Sequence, residues 1–596
     1  MYLRTLEIWR RLRRPAWTTV GAVLITLYGA LLRLDSYTGK YGTLDHPAWA
    51  RVATHDVAPL AARLRPPGVA WKYDPNPYVG GDPINYLRYA REMTAFYQPH
   101  VREPVFLELT RFGLWTVDGQ DAGVSVASAI GSLAVIIATF LLGRALVSPA
   151  GGLIAALVMA IEFEEITWSV DGWRDDTFAA AFILTAWALV RLRDRPDTIN
   201  ACLVGVIGGL ACLTRITALS FIVPALLWIT LDGRGERRLR DTRAALALAL
   251  VIAVVAPFLI SCAIATGDPF FAINYHTIYY RAAENLAVSE PMTVGGYIKQ
   301  KFASHPIATL DIASVGLFVR PFVTKWIGLD VWTVALAPVL WCSSLVGLAL
   351  WPFTARGRLM LVVLLSSLVP YAFTWNVGGG GQWRFTMHVY SLYVVAAVHA
   401  WAALSRPWWR APAPGLIKRA AAVTTLALAG VLAYVALPWF VAREAIAGRE
   451  AVNVETGSRD WIFYRSGWTP ARREGAASVR VSLDEQTTVH FPLPEKRSYD
   501  IVLRFDPAAP DTQRRVTILL NRQMLGTVLT SFNADRVGSY RLRLPEAAVR
   551  AGDNALTLVP DTRVAAATAG DRFDWIDPKT LVGVRFWYLR VLELTP

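Results

Sequence analysis

Apolar residues in this chain are gathered into long runs rather than spread evenly. The segment AWTTVGAVLITLYGALL at 16–32 carries no charged residue, and similar runs recur along the first three quarters of the chain. Runs of this length cross a hydrocarbon layer of roughly 30 Å as helices. The pattern predicts about eleven spans, near 15–34, 124–147, 149–168, 177–192, 199–214, 217–232, 243–266, 331–352, 358–376, 386–404 and 420–440. Three segments between or after them are too long to be turns: 35–123, 267–330 and 441–596. Within the first, AREMTAFYQ and EPVFLELTRFGLW have the apolar spacing of amphipathic helices. The tail changes period. VRVSLD, TVHFPL, YDIVLRF, RRVTILLN, GTVLTSF, YRLRLP and NALTLV alternate or cluster β-formers between turn residues, the mark of a β-sandwich. The domain expectation is a transmembrane domain over 1–440, a linker over 441–460 and a sandwich over 461–596.

Composition agrees with a membrane class. The chain is 54% hydrophobic and only 18% charged, where a soluble chain carries about a quarter charged residues. The net charge of +14 does not point to nucleic acid, because it is not gathered in one soluble patch. It lies in short loops: MYLRTLEIWRRLRR at the start, RLRDRP at 191–196, DGRGERRLRDTR at 232–243, ARGR at 355–358 and SRPWWRAPAPGLIKR at 405–419. Loops poorer in Arg and Lys alternate with these, which places the N-terminus in the cytoplasm and, with an odd number of spans, the tail outside. No small-residue cleavage site follows the first run, so it reads as an uncleaved span. Cys202, Cys212, Cys262 and Cys342 fall inside apolar runs and show neither a disulfide framework nor metal spacing.

This topology collects a set of polar groups on the outer side. Asp82 stands in GGDPINYLRYAREM, Trp173, Arg174, Asp175 and Asp176 in SVDGWRDDTF, and Arg215 in CLTRITALSF. His276, Tyr279, Tyr280 and Arg281 stand in NYHTIYYRAAEN, and Trp383, Arg384 and His388 in GGGGQWRFTMHVY. Charges near a bilayer are costly unless paired or functional. An aspartate can take a proton from a hydroxyl, and arginines grip phosphate through forked, charge-assisted hydrogen bonds. Together they suit transfer of a group from a lipid-linked phosphate to a hydroxyl, with the arginines stabilising the charge on the departing phosphate. Each residue also has a plainer reading. Asp82, Asp175 and Asp176 fit helix N-termini, Arg215 fits snorkelling to headgroups, and His276 and His388 fit packing. Glu162, Glu164 and Glu165 read as interfacial.

Two stretches carry a resemblance: GGDPINYLRYAREMTAFYQPHVREPVFLELTRFGLW at 80–115 and LLGRALVSPAGGLIAALVMAIEFEEITWSVDGWRDDTFAAAFILTAWALV at 141–190. With the ground plan over 10–440, they resemble the GT-C superfamily of membrane glycosyltransferases, in its protein O-mannosyltransferase and aminoarabinose-transferase branch. The tail, through YRSGWTPARREG at 464–475 and the strands after it, resembles sugar-binding sandwiches of jelly-roll type. The resemblance implies a GT-C fold and inverting transfer of a sugar from a polyprenyl-phosphate donor to a glycan, lipid or protein acceptor, without a covalent intermediate. It implies a bacterial inner-membrane protein, acting as a monomer, whose sandwich is extracytoplasmic. It implies Asp82 as the catalytic carboxylate, Asp175 or Asp176 as the second acidic position, and Arg215, Arg281 and Arg384 on the donor phosphate. The lining would draw on Tyr86, Arg88, His100, Trp173, Arg174, His276, Tyr279, Tyr280, Trp383 and His388. No organic cofactor is implied; a divalent cation on Asp82, Asp175 and Asp176 stays open. The Asp82-Pro83 start is closer to oligosaccharyltransferases, yet no Trp-Trp-Asp-like signature is present, so the acceptor class is open. A transporter or flippase of lipid-linked sugars would show internal repeats and mid-span polar groups, which the sequence lacks. A glycan-binding assembly protein would make the polar set dispensable.

Overall fold

The structure is a computed structural model that describes residues 2–66, 69, 71, 81–233, 235–284, 292–323, 331–377, 383–404, 415–455, 459–465, 467–474, 477–508, 514–530, 538–569, 573 and 575–592. The chain divides into two compact units, Met1–Ile298 with Ala313–Pro412, and Lys299–Ile312 with Ala413–Pro596. The first is helical. The second combines helices with a β-sandwich. This is the helical-plus-sandwich architecture that the pattern predicts.

Six helices among the described residues are long and apolar enough to cross a membrane, namely Trp17–Tyr41, Gly123–Leu146, Arg237–Thr266, Ala355–Ala372, Met387–Leu404 and Thr424–Ala447. Shorter apolar helices cover Pro149–Ala160, Thr198–Thr214, Ile216–Asp232 and Pro338–Phe353. The helix Asp175–Asp194 keeps acids in its first turn and arginines in its last. Local chemistry sets several starts. Ser148 accepts from Gly151 N, Asp197 from Asn200 N and Thr354 from Gly357 N, each side chain satisfying an orphan donor of the first turn. Among the described residues, five of the eleven expected spans fall outside those six, and one of the five is broken. The run 149–168 is interrupted: its first helix ends at Ala160 and a second, Phe163–Asp171, comes after it. Glu162 sits at the break in extended backbone, and its carboxylate accepts from Glu164 N and from the Tyr390 hydroxyl at 2.8 Å. A buried carboxylate satisfied by another helix and by the freed backbone outweighs one more turn of helix.

The helical unit has two chemically distinct ends. At one end, Arg356 reaches Asp194 and the carbonyl of Ala145, and Arg358 grips both oxygens of Asp232. At the other end lie the starts of Gly123–Leu146 and Asp175–Asp194 and the C-terminus of Thr198–Thr214. Those two starts approach closely: a Cβ on Gly131 would lie 2.7 Å from the backbone N of Thr177. Only glycine there lets the helices meet at this distance. In the first long loop, helices cover Asp82–Glu92 and Pro104–Thr116. The expected helix over AREMTAFYQ therefore stops at Glu92, and the prolines at 99 and 104 punctuate the stretch between the two helices.

In the second unit, β1 (Val452–Glu455), β2 (Arg472–Glu474), β3 (Ala477–Val481), β4 (Thr487–Leu493), β5 (Tyr499–Pro507), β6 (Arg514–Leu520), β7 (Gln523–Thr530), β8 (Ser539–Leu544), β9 (Gly552–Pro560), β10 (Val564–Ala565), β11 (Leu581–Val582) and β12 (Val584–Leu592) succeed one another in order. One sheet runs β2-β3-β12-β5-β8 with β1 beside β12; the other runs β4-β9-β6-β7; β10 and β11 form a small ribbon. Alternate residues of both sheets, such as Ile501, Leu503 and Phe505 against Val516, Ile518 and Leu556, share one core. The stretch 441–460, expected as a linker, holds the end of the helix Gly415–Ala447 and the strand β1. Residues of the second long loop join this unit. Glu444 accepts from the backbone N of Ile307 and Ala308 at the head of the helix Pro306–Phe318, and Arg459 grips both oxygens of Asp311. The loop 378–381, read as a glycine hinge, lies outside the described residues.

Candidate active site

Asp82 is the first residue of the helix Asp82–Glu92. Gly81 before it has φ 66°, ψ −142°, a backbone conformation that favours glycine. A Cβ there would also press on the Trp173 ring at 3.3 Å. Pro83 fixes the first turn. The Asp82 side chain makes no cap bond to its own helix. Its two oxygens go to different arginines: Oδ1 accepts from Arg102 Nη2 at 3.1 Å and Oδ2 from Arg384 Nη1 at 3.0 Å. Asp82 thus stands in the first turn of a helix, as the plainer reading expects, while its carboxylate turns to two arginines.

Arg384 links outward. Its guanidinium lies 4.1 Å from the Trp173 ring centre and 4.4 Å from that of Phe385, and Nη1 is 4.0 Å from Asp175 Oδ2. Asp175 Oδ1 accepts from Arg215 Nη2 at 2.5 Å. Arg215 in turn rests over Phe178 and Phe385. Arg174 donates to Glu103 Oε2 at 2.7 Å, while Glu103 Oε1 accepts from Ile216 N at 2.8 Å. Five separate segments therefore meet: 81–82, 102–103, 173–175, 215–216 and 384–385. Arg102 also contacts His276 Nε2 and lies over the Tyr86 ring.

Electrostatics derive from this packing. Burial pushes the Asp82 carboxyl up, but Arg102 and Arg384 together hold it below its ordinary value, so it is an anion at neutral pH. Burial, with Arg102 and Arg174 close by, pushes His276 down to about 2. His276 is therefore neutral and accepts from Arg102. Burial also lowers His100, and Arg102 adds to that. Burial raises the Tyr86 hydroxyl.

The fold brings together Asp82, Asp175, Arg215, Arg384, Tyr86, Trp173, Arg174 and His276 from the expected set. Asp176, next to Asp175, turns away and accepts from Ser128 Oγ at 2.8 Å, and its other oxygen is buried with no hydrogen-bond partner among the described residues. His388 packs on Phe178 and Phe182 and faces Ser367. Trp383 packs edge-on to Tyr390, Tyr280 stacks on Tyr297, and Tyr279 and Arg88 are exposed. His100 sits beside Tyr89 and accepts from Arg102 N. Arg281 is buried on the helix Thr277–Ala283; the described partners of Asp82 and Asp175 are Arg102, Arg384 and Arg215. Sequence reasoning missed Arg102 and Glu103. Their signal was an opposite-charge pair directly before Pro104, a helix start. The three aspartates do not fit a cation. Among the described residues no three His, Cys, Asp or Glu side chains gather to hold a metal, and guanidiniums already surround Asp82 and Asp175.

Residues 102–260 match the family model for dolichyl-phosphate-mannose-protein mannosyltransferases. The match bears out the resemblance to membrane glycosyltransferases. It takes in Arg102, Glu103, Arg174, Asp175 and Arg215, and leaves Asp82 and Arg384 outside. No curated protein matches the chain by sequence. Among solved structures, the chain is similar to the archaeal oligosaccharyltransferase AglB from Archaeoglobus fulgidus, in complex with an inhibitory peptide and a dolichol-phosphate. The TM-score is 0.39 and the identity 14%, over 71% of this chain and 56% of that one. The chain thus spans little more than half of that enzyme. ArnT from Cupriavidus metallidurans, bound to undecaprenyl phosphate, gives a TM-score of 0.36 and 16% identity over 62% of this chain and 65% of that one. A family 35 carbohydrate binding module from an environmental isolate gives 0.16 and 16% over 22% and 95%. At these scores the structural likenesses add no weight to the family match.

Proposed function

We propose that the chain is an inverting glycosyltransferase that moves a sugar from a polyprenyl-phosphate donor to a hydroxyl of a glycan, lipid or protein. The observation that carries this reading is one ionised carboxylate, Asp82, shared between two arginines from distant segments, with Asp175 and Arg215 beside it. The acceptor hydroxyl gives its proton to Asp82 as its oxygen bonds to the anomeric carbon. The bond from that carbon to the phosphate oxygen breaks on the opposite face, and the electron pair leaves with the phosphate. Arg384, Arg215 and Arg102 hold the charge that develops there. A carboxylate gripped by two guanidiniums is a weak base. A bound donor phosphate competes for Arg102 and Arg384, and each hydrogen bond it draws off leaves Asp82 more basic. Trp173 and Phe385 keep Arg384 in place as it changes partner. The second acidic position is Asp175, which spaces Arg215 from Arg384.

The cluster lies at the end of the helical unit away from Arg356 and Arg358. The positive-inside pattern supports reading that end as extracytoplasmic in a bacterial inner membrane, with the N-terminus inside and the C-terminal unit outside. The test is turnover of synthetic polyprenyl-phosphate sugars by the purified chain in nanodiscs. Asp82→Asn should cut transfer by about 10²- to 10⁴-fold and leave donor binding intact. Full turnover in that variant overturns the assignment.

A further inference from the structure

The larger sheet of the C-terminal unit has one face in the core and one turned outward, and the outward face is rich in arginine. Its register places Tyr588 on β12 between Arg504 on β5 and Glu455 on β1. Arg504 is itself opposite Ser539 on β8. In the next row, Arg590 stands opposite Val502 and Asn453, and Val502 opposite Arg541. Beyond that, Asp500 stands opposite Arg543. The residues between them, Ile501, Leu503, Leu589 and Val591, are buried in the core, so alternation alone sends these polar groups to one side. Neighbours in such rows are about 5 Å apart.

Three features mark this face as a ligand platform. The Arg504 guanidinium lies 5.9 Å from the Tyr588 ring centre, and its Nε is buried with no hydrogen-bond partner among the described residues. Arg541, Arg543 and Arg590 are exposed around it, so four guanidiniums face two carboxylates, Asp500 and Glu455. One of those, Asp500, is already engaged by Arg541 at 2.6 Å. The outward face of the other sheet is different: Thr488 stands opposite Thr557 and Thr517 opposite Thr527, and its Asp553 is taken up by His490.

We propose that this face binds an acidic glycan, a saccharide chain bearing carboxylate or phosphate groups. A half-exposed ring offers a flat apolar surface to the C–H face of a sugar. Guanidiniums beside it pair with an anionic substituent. Asn453, Ser539 and Glu455 supply partners for neutral hydroxyls. The interspersed carboxylates argue against an anionic membrane as the occupant, since Glu455 and Asp500 would meet lipid phosphates of like charge. The proposal stands on residues separate from Asp82 and is read as binding without donor, so its failure leaves the transfer reading in place.

The experiment uses the full chain in nanodiscs of neutral lipid and measures binding of three probes: oligogalacturonate, phosphorylated dextran and neutral dextran of equal length. At least one anionic probe should bind, weakening with salt, and neutral dextran should bind at least about tenfold less. Which anionic probe binds tells carboxylate from phosphate recognition. Arg590→Gln and Tyr588→Leu should each weaken binding about tenfold, and Thr517→Ala on the other sheet should not. If either variant lowers the melting temperature, Arg543→Glu at the exposed edge gives the same reading by charge reversal. Equal binding of neutral dextran, no change in the variants, or binding of phosphatidylglycerol vesicles in place of every saccharide overturns the proposal.

Discussion

Both units bury carboxylate–guanidinium pairs, but they build them differently. In the sandwich, Arg480 takes both oxygens of Asp460 at 2.6 and 2.5 Å, and Arg585 takes both oxygens of Asp506 at 3.0 and 2.7 Å. In each, one guanidinium spans both oxygens of one buried acid, and Arg585 also reaches Glu474 at 3.5 Å. The acids are 4% and 6% exposed. In the helical unit, Asp82 divides its oxygens between Arg102 and Arg384 and keeps 29% of its side chain exposed. Arg384 in turn stands between Asp82 and Asp175. A guanidinium forked onto one deeply buried carboxylate fixes a strand in place. A shared, half-open set can exchange one partner for another at little cost, which is what a site for an anionic ligand requires.

That contrast can be broken at several points. The largest effect should come from Asp82→Asn. Transfer from a polyprenyl-phosphate sugar should fall by about 10²- to 10⁴-fold, while the chain stays folded with a modestly lower melting temperature. Loss of fold along with activity would make Asp82 a lock like Asp460. Next is Arg480→Met, which leaves Asp460 buried without its arginine. It should destabilise the C-terminal unit by about 3–5 kcal/mol, read by hydrogen exchange on β3 and β12, and Asp460→Asn in the same chain should restore part of that. A smaller loss, about 10- to 100-fold in kcat/KM for the donor, should result from Arg384→Ala, which removes a charge-assisted contact. Unchanged donor use there would take Arg384 off the phosphate.

Acid pH should sharpen the comparison further. The Asp82 carboxyl is held below its ordinary value. Its contribution to stability is therefore full above the ordinary carboxylate pKa, about 3.9, and is lost as pH falls through the lower native value. The acid limb of kcat/KM should lie below about pH 4, and Arg102→Ala should move it upward. An acid limb unchanged in that variant would show that Arg102 does not set the charge of Asp82. The smallest effect belongs to His276→Gln. The imidazole is neutral at every working pH and serves as an acceptor for Arg102, a task glutamine can also do. A large loss, or a new pH dependence between about 5 and 8, would mean that His276 carries a proton in the reaction.

Much of the site was legible before the fold. Asp82, Asp175, Arg215 and Arg384 stand out as charges at the ends of apolar runs, where their cost demands a partner. Arg102 and Glu103 did not stand out, because a charged pair before a proline in a loop looks like any solvated surface. His388 and Trp383 could be read two ways for a related reason. An aromatic next to a span end reads the same whether it faces a ligand or, as here, packs on Phe178, Phe182 or Tyr390.

Hydrophobic period and charge spacing alone determined that the chain is a bundle of apolar helices with a sandwich after it, since burial against lipid and burial in a sheet impose different periods on neighbouring residues. They could not determine which acid meets which base. Asp82 and Arg384 are joined by a contact across 302 positions, and Asp175 and Asp176, adjacent in sequence, point to different partners because successive residues of a helix face different directions. The partition of 299–312 into the C-terminal unit was likewise decided only when Glu444 and Arg459 found their partners in three dimensions. Ion pairs have range but no period, so their geometry exists only after the backbone has been placed.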